Sequence, residues 1–352
     1  MIRMSGRPKI FGHLMADVIR KGLCVGCGAC AAVCPVNSID LEMGTPKLVG
    51  LCIACGMCYN NCPQVEFDVG ELEEQVYGRR RNEDEAEIGV TQAFYAVRAK
   101  EDRVLERGQD GGAVTSILFQ FLKEGGECAV VAGLEEGKVW VPEPKVALSE
   151  DDVMDGAGTK YTPSPTLLGV DSAVDEYMKR KVAVVGTPCQ MRALRRIETG
   201  AYSDTRLGDA VSLRLGLFCM ETFDYNSFME FLEKEGVDAS KVTKFDIKKG
   251  RFIAWKDGES LYDVELSKMK ELVRPCCSAC NDFAAEFSDL SIGNVGSPDG
   301  WSTVIVRTER GEAALREAEE SGFVEVKLLE EVKPGLKLVI RLARMKRKEA
   351  KA

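Results

Sequence analysis

The sequence has 352 residues, of which 45% are hydrophobic, and it carries a formal net charge of −9. At about 150 residues per domain, this length predicts two or three domains with enough apolar side chains for a buried core. The negative charge argues against wholesale binding of nucleic acid. Because long apolar stretches are absent, we expect no membrane span and no secretory signal. The single histidine, His13, excludes a three-histidine zinc site.

The first 21 residues mix apolar and basic side chains. Ile10, Leu14 and Val18 recur at every fourth position, which predicts a short amphipathic helix. We expect this helix to pack on a neighbouring element, and docking to a partner is the alternative.

Two near-identical cysteine runs follow, at residues 24–35 and 52–63. Each reads C-x-x-C-x-x-C-x-x-x-C-P, the pattern that holds two [4Fe–4S] clusters, with the fourth cysteine of each run serving the other cluster. The predicted ligands are Cys24, Cys27, Cys30 and Cys62 for the first cluster, and Cys52, Cys55, Cys58 and Cys34 for the second. Zinc and disulfides are the alternatives, but zinc sites usually pair two C-x-x-C units without a terminal proline. The pattern predicts a bacterial-type ferredoxin domain over residues 1–68.

Residues 69–89 are crowded with charged side chains, among them Glu73, Arg81 and Glu85. This composition predicts a solvated linker and places the domain boundary there.

From residue 90 to about 336 the pattern alternates between strands and helices, which predicts a mixed sheet with helices on its faces. The predicted strands lie at 93–99, 127–133, 139–148, 181–186, 207–219, 245–255, 289–293, 303–308 and 323–328, and the helices begin near 113, 188, 222 and 311. The fold class is therefore α+β or α/β, with a small ferredoxin domain in front of a larger α/β domain.

Glycine-containing turns are the first chemical feature of the larger domain. Residues 109–112 read Gln-Asp-Gly-Gly and open a helix whose free N–H groups suit an anion such as a pyrophosphate. Thr115 and Ser116 add hydroxyls one turn later, and residues 158–161 form a second polar loop. A tight turn without a ligand is the alternative, because neither G-x-G-x-x-G nor a P-loop is present.

The second feature is a set of cysteines outside the two runs. Cys189 and Cys219 follow predicted strands, and Cys277 and Cys280 form a C-x-x-C. These four thiols are able to form a third cluster site, whereas Cys128 lies in an apolar strand and reads as a small buried side chain. Ordinary core cysteines are the alternative.

The ordered motifs resemble the coenzyme F420 hydrogenase/dehydrogenase beta-subunit family. They are residues 109–115, 158–161, 186–190, and 277–282 with 289–293, and the resemblance runs from about residue 90 to the C-terminus. Members of this family bind FAD and an iron–sulfur cluster, and they move a hydride between the deazaflavin coenzyme and FAD.

The resemblance implies the site residues. Around FAD it places Gly111, Gly112, Ala113, Thr115, Ser116, Thr159, Lys160, Tyr161, Thr187 and Pro188. Lys160 would stabilise the anionic reduced flavin electrostatically. The resemblance assigns a third [4Fe–4S] cluster to Cys189, Cys219, Cys277 and Cys280, and Cys276 beside Cys277 leaves the ligand choice open.

The resemblance also implies a function. FAD would take a hydride from F420H2, and three [4Fe–4S] clusters would carry single electrons to other subunits of a membrane-bound quinone or phenazine oxidoreductase. A hydrogenase, formate dehydrogenase or heterodisulfide reductase partner is an alternative. A ferredoxin-type electron-transfer protein without flavin is another.

The end of the chain, residues 337–352, is rich in lysine and arginine and is predicted to form a basic tail. Its cations either favour the dipole at a helix C-terminus or dock the protein onto an acidic partner or anionic lipid. The second use would place a cytoplasmic protein peripherally on the inner face of the cell membrane.

Overall fold

The computed structural model describes residues 8–42 and 44–350. The predicted N-terminal helix is present as α1 (Phe11–Leu14), which continues as a π-helical turn over Met15–Ile19. Phe11, Leu14 and Val18 are buried, so this segment packs on its neighbours as expected. Residues 1–7 of the prediction lie outside the described residues.

The cysteine-rich unit consists of short elements: α2 (Ala29–Ala32), β1 (Ile39–Glu42), β2 (Thr45–Leu48) and α3 (Met57–Asn60). Strands β1 and β2 pair antiparallel. Gly28 and Gly56 precede the two helices with φ of 87° and 83°, a left-handed conformation that favours glycine. Each cysteine run therefore turns at the same point and enters a short helix in the same way.

The larger unit contains two sheets. The eight-stranded sheet consists of β3 (Ala93–Ala99), β4 (Cys128–Leu134), β5 (Pro142–Ala147), β6 (Val182–Gly186), β7 (Val211–Leu217), β11 (Leu290–Gly293), β12 (Ser302–Val306) and β13 (Val324–Leu328); the three-stranded sheet consists of β8 (Lys244–Lys248), β9 (Arg251–Lys256) and β10 (Glu259–Glu265). The large sheet has the order β13-β3-β12-β11-β7-β6-β4-β5, with β4, β6, β7 and β11 parallel and the other pairings antiparallel. The predicted mixed sheet is confirmed.

Helices pack on the two sheets and connect their strands. They are α4 (Val69–Tyr77), α5 (Asp102–Arg107), α6 (Ala113–Lys123), α7 (Glu150–Asp155), α8 (Thr166–Asp175), α9 (Pro188–Thr199), α10 (Thr205–Gly208), α11 (Tyr225–Lys234), α12 (Pro275–Ser278), α13 (Glu309–Glu320) and α14 (Leu336–Glu349), with 3-10 turns at Ala239–Lys241, Leu266–Leu272 and Leu329–Glu331. The predicted strand at 207–219 starts only at Val211, because α10 occupies its first residues.

The charged stretch at 69–89 is packed against the protein and does not form the solvated linker that its composition predicted. Glu73 and Glu85 are buried. Arg81 donates to Glu73 at 2.5 Å and to the buried Glu286 at 2.6 Å. The stretch therefore forms a buried ion network with a distant segment of the chain.

The cysteine-rich unit and the large sheet share one core. Cys27 and Val33 pack in the same apolar cluster as Leu167 of α8. The Leu167 amide donates to the Cys27 carbonyl at 3.0 Å. A Cβ at Gly28 would lie 3.0 Å from the Pro165 carbonyl oxygen. The two units therefore fold against each other with no spacer between them.

The basic C-terminal segment also differs from the predicted tail. Over 336–349 it is helix α14, with Val339, Ala343 and Lys346 buried. Arg347 pairs with Glu286, so the helix closes over the same ion network. In the described part of the chain, no helix combines the length and apolar character needed to cross a bilayer.

Candidate functional site: three cysteine sets and a polar cleft

The carboxyl ends of the parallel strands gather the chemistry-bearing loops. Cys189 follows β6 at the start of α9, and Cys219 lies just beyond the end of β7. Asn294 directly follows β11. The carboxyl edge of parallel strands is where open α/β sheets bind ligands.

The first cysteine set combines both runs. Burial raises the pKa of Cys27 well above its usual value, and the charges of Cys62, Cys30 and Cys189 raise it further. Burial likewise raises the pKa of Cys30, with further contributions from Cys24 and Cys62. Cys24, Cys27, Cys30 and Cys62 therefore lie together, as the crossed ligand pattern predicted.

The second set shows the reciprocal crossing. Burial, followed by the charges of Cys55, Cys52 and Cys34, raises the pKa of Cys58 to about 12. The sulfur of Cys34 accepts a hydrogen bond of 3.4 Å from the Ser38 amide. Cys34 of the first run therefore lies with the three leading cysteines of the second run.

The third set lies at the carboxyl edge of the sheet. Burial, followed by the charges of Cys280 and Cys277, raises the pKa of Cys189 to about 11. Burial also raises the pKa of Cys219, followed by the charges of Cys277, Cys189 and Cys280. The fold thus gathers four cysteines from three separate segments, which are the four that the resemblance implied.

Cys276 and Cys277 differ in their surroundings. The neighbouring Cys276 thiol and the Thr222 hydroxyl, which lies 3.4 Å from the Cys277 sulfur, hold the pKa of Cys277 below its usual value despite its burial. The amide of Thr222 also donates to the Cys277 sulfur at 3.4 Å. Stabilised as a thiolate, Cys277 suits a metal ligand better than Cys276 does.

The three sets lie in series. Cys189 of the third set raises the pKa of Cys27 in the first set, and Cys58 of the second set raises that of Cys30. The order is therefore third, first, second, from the carboxyl edge of the sheet into the N-terminal unit.

The donor chemistry fits clusters better than the two alternatives. All fourteen cysteines are free thiols, so the sets are not disulfides. In residues 8–42 and 44–350, no three Cys, His, Asp or Glu side chains converge closely enough for a single metal ion. The two cysteine runs with crossed fourth ligands are typical of four-iron clusters, whereas zinc sites usually pair two C-x-x-C units.

Polar side chains and backbone groups of the glycine turn, β8, the 158–161 loop and the loop after β11 meet where the large sheet joins the three-stranded sheet, a region here called the polar cleft. The Gln109 side chain donates to Asp246 Oδ1 at 2.7 Å and accepts from the Thr159 amide at 3.1 Å. Lys244 Nζ donates to the Gly108 carbonyl at 2.8 Å. Gln109 and Lys244 thus tie the glycine turn to both neighbouring loops.

Asp110 is the perturbed carboxyl of this cleft. Burial, followed by the charge of Asp246, raises the pKa of Asp110 to about 6. Lys248, Lys244 and Asn294 lower it by less. Perturbed carboxyls in clefts mark functional sites more often than chance, which makes Asp110 a residue to test.

The two glycines of the turn lie in close contact with neighbouring segments of the chain. A Cβ at Gly111 would lie 2.4 Å from the Ser302 amide nitrogen and 2.6 Å from the Val97 carbonyl oxygen. Gly112, with φ of 70°, would place a Cβ 2.7 Å from Val104. Packing against the sheet therefore requires both glycines, whatever lies in the cleft.

Helix α6 begins at Ala113 with Thr115 and Ser116 buried in its first turns. Among the described residues, no side chain caps its N-terminus and the Ser116 hydroxyl has no hydrogen-bond partner. An uncapped helix start with an orphaned hydroxyl fits the phosphate groups of a dinucleotide.

Lys160 and Tyr161 are both bonded to backbone groups beside the polar cleft. Lys160 Nζ donates to the carbonyls of Gly156, Ala157 and Gly158 at 2.7, 3.2 and 3.2 Å, and burial lowers its pKa to about 8. The Tyr161 hydroxyl accepts from the Ile247 amide at 2.9 Å. Both residues hold loops that line the cleft.

Thr187 and Pro188 belong to the third cysteine set. Thr187 caps α9, Pro188 is the first residue of that helix, and Thr187 Oγ1 lies 3.1 Å from Cys189 Sγ. The structure thus brings these two residues to the sulfur cluster site.

Sequence reasoning missed Asp110, Asp246 and the loop after β11. That loop, residues 294–301, contains Gly-Ser-Pro-Asp-Gly directly after a buried strand, a turn signal at a carboxyl edge. It also missed Lys346, which follows Val339 and Ala343 at helical spacing on the buried face of α14. That helical spacing could have indicated from the sequence that Lys346 is buried.

Three family descriptions match the sequence. Two of them describe the beta subunit of coenzyme F420 hydrogenase/dehydrogenase: the description of its C terminus matches residues 179–332, and that of its N-terminal part matches residues 94–170. The third, "4Fe-4S binding domain", matches residues 17–40, which contain the first cysteine run.

Individual relatives extend this likeness. The coenzyme F420 hydrogenase subunit beta of Methanothermobacter thermautotrophicus is 40% identical over 266 residues, covering 75% of this chain and 94% of that protein. The F subunit of the F(420)H(2) dehydrogenase of Methanosarcina mazei is 31% identical over 351 residues, covering 97% and 92%. A solved chain of the F420-reducing [NiFe] hydrogenase complex from Methanosarcina barkeri superposes with a TM-score of 0.71 at 34% identity, covering 76% and 92%.

Proposed function

The chain belongs to the coenzyme F420 hydrogenase/dehydrogenase beta-subunit family, and we propose that it oxidises F420H2 by hydride transfer to FAD. Three [4Fe–4S] clusters then carry single electrons to other subunits of a membrane-bound quinone or phenazine oxidoreductase. The observation that carries this proposal is the series of three cysteine sets running inward from the carboxyl edge of the sheet.

FAD, when bound, accepts the two electrons of a hydride and releases them singly, which suits it to a junction with iron–sulfur clusters. The protein's part is to hold a two-electron site beside a row of one-electron sites. Asn294, whose side chain acts on Asp110 in the cleft, follows β11, and Cys219 follows the adjacent parallel strand β7. This placement supports electron transfer from the cleft into the third set.

We assign the flavin to the cleft between the two sheets. Thr115, Ser116 and the uncapped start of α6 at Ala113 would meet its phosphates, and the Gln109–Thr159 contact would fix the opposite wall. Gly111 and Gly112 let α6 start close to the sheet. Lys160 and Tyr161 act from behind the wall, with the Lys160 ammonium contributing positive charge to the cleft. Thr187 and Pro188 would lie between flavin and third cluster.

Electrons would leave from the second set. Cys34, Cys52 and Cys55 are only half-buried. The surrounding loop exposes five apolar side chains, namely Val36, Leu48, Val49, Leu51 and Ile53. A cluster held there would lie near the surface, where the next subunit of the complex must approach it.

The extent of the likeness favours the dehydrogenase assignment over a hydrogenase beta subunit. The relative from Methanosarcina mazei covers 97% of this chain, including both cysteine runs, whereas the beta subunit of the Methanothermobacter hydrogenase covers 75%. A hydrogenase partner is the second candidate, because identity is higher there, at 40% over 266 residues against 31% over 351 residues. In the first case the protein would bind peripherally to the inner face of the cell membrane.

Anaerobic purification of the native complex tests the proposal. We expect FAD, about twelve iron atoms per chain, oxidation of F420H2 with a dye acceptor, and co-purifying quinone- or phenazine-reducing subunits. If hydrogenase subunits co-purify in their place, the result would support the second candidate, a hydrogenase partner. A flavin-free protein with about eight iron atoms and no F420H2 oxidation would contradict it.

A further inference from the structure

Lys346 is a buried ammonium group without a carboxylate partner. Its residue is only 3% exposed, and its Nζ donates to the carbonyl of Met220. No carboxylate of the described residues lies within ion-pair distance of it, whereas its helix neighbours Arg344 and Arg347 pair with Glu87 and Glu286. A buried lysine that stays protonated needs a compensating negative charge nearby.

The surroundings of Lys346 identify that negative charge. Met220, which accepts its hydrogen bond, directly follows Cys219 of the third set. Burial lowers the pKa of Lys346, but the charges of Cys280, Cys219 and Cys277, followed by that of Asp282, outweigh it and raise the pKa above its usual value. Helix α14 and the chain around Cys219 also share an apolar cluster, so the ammonium is held in place.

We propose that Lys346 is the counter-charge of the third cluster and raises its reduction potential. This inference rests on the proposed function, because it requires a cluster on the third cysteine set. A four-iron cluster with four thiolates is anionic, and its reduction adds one more negative charge. A fixed cation in a water-excluded site stabilises that added charge more than one at the surface does. Lys346 would therefore favour electron entry from the flavin, as a positioning residue that does not touch substrate.

The test is a redox titration of the full-length, cluster-loaded protein followed by EPR. The third-cluster signal is assigned by its loss in Cys277→Ser. Lys346→Met removes the charge and keeps the length of the side chain. Lys348→Met removes an exposed charge from the same helix and serves as the matched control.

In Lys346→Met we expect the potential of the third cluster to become more negative, with the reduced fraction at a fixed potential falling at least tenfold, about 59 mV for one electron. The other two clusters and Lys348→Met should keep wild-type potentials. An unchanged third-cluster potential in Lys346→Met would overturn the inference and leave the proposed function standing. Absence of a third-cluster signal from the wild type would overturn both.

If Lys346→Met loses the third cluster altogether, a second variant decides whether the lost charge or the altered packing is the cause. Lys346→Arg keeps the positive charge, so it should retain the cluster at a potential close to that of the wild type. If Lys346→Arg loses the cluster as well, packing and not charge explains the effect, and the inference is wrong.

Discussion

The guanidinium of Arg274 donates a hydrogen bond of 3.0 Å to the carbonyl of Cys24. Arg274 immediately precedes α12, which carries Cys277 of the third set, and Cys24 begins the first set. A second bond of 3.0 Å from the same guanidinium reaches the Val25 carbonyl. One side chain therefore fixes the ligand loop of one set against the ligand loop of the next.

Replacing Arg274 with glutamine should slow electron transfer between the third and first clusters, because the two loops lose their shared tie. Losing charge-assisted hydrogen bonds to the backbone should also cost about 2 kcal/mol of unfolding free energy. Iron content should stay unchanged. Rapid-freeze EPR after mixing with F420H2 would measure the transfer, with the exposed Arg316→Gln as control. Transfer at the wild-type rate would contradict this role of Arg274.

The neighbouring cysteines Cys276 and Cys277 should respond differently to substitution. Cys277→Ser should lower the iron content from about twelve to about eight atoms per chain, since one cluster loses a ligand. Cys276→Ala should keep close to twelve, because the buried Cys276 has no ligand role in our assignment. Iron analysis with protein quantification measures both. Equal iron content in the wild type and in both variants would contradict the assignment of a third cluster.

The local features of this fold could be predicted, and so could the cysteine groupings that a spacing pattern or the family resemblance specifies, whereas the distant ion pairs could not. Strand β3 coincides with the strand predicted over residues 93–99, because alternation and apolar runs are local signals. The partner of Arg81 is Glu286, 205 residues away, and no local pattern indicates that such charges are buried. The same limit explains the predicted linker at 69–89 and the predicted tail, whose charged residues find buried partners only in the folded chain.

If Ser116 contacts the flavin, replacing it should have opposite effects on protein stability and on FAD binding. The hydroxyl is buried without a partner among the described residues, so Ser116→Ala should leave the flavin-free protein as stable or slightly more stable. If the hydroxyl meets a flavin phosphate, the same change should weaken FAD binding about tenfold, which corresponds to about 1.4 kcal/mol. Flavin titration and thermal unfolding of the flavin-free protein measure the two effects. Unchanged FAD affinity would exclude Ser116 from the site.

Asp110 should make the stability of the flavin-free protein depend on pH. Its folded pKa of about 6 exceeds the usual 3.8, so the folded state binds the proton more tightly and loses stability as pH rises from about 4 to 6. Asp110→Asn is neutral throughout and should be more stable than the wild type by about 2 kcal/mol at pH 7. The advantage should be smaller at pH 5. Denaturant unfolding across this range measures it, and a pH-independent difference would contradict the raised pKa.

The exposed cations of α14 provide the test of membrane docking. Deleting residues 341–352 would also remove Lys346 and Arg347, which are bonded to Met220 and Glu286, so loss of attachment would be confounded by loss of structure. Arg341 and Lys348 are exposed on the helix surface. Reversing both, as Arg341→Glu with Lys348→Glu, should keep the fold and the oxidation of F420H2 with a soluble dye.

If these cations hold the protein on an acidic partner or on anionic lipid, the reversed variant should leave native membranes at lower salt than the wild type, since ions screen exposed charges over about 10 Å at 0.1 M. Sedimentation with membranes across a salt series measures the release. Vesicles with and without anionic lipid then separate lipid from a protein partner. Coincident release curves for variant and wild type would show that attachment does not depend on this face of α14, and the exposed apolar loop around the second cysteine set would become the surface to test.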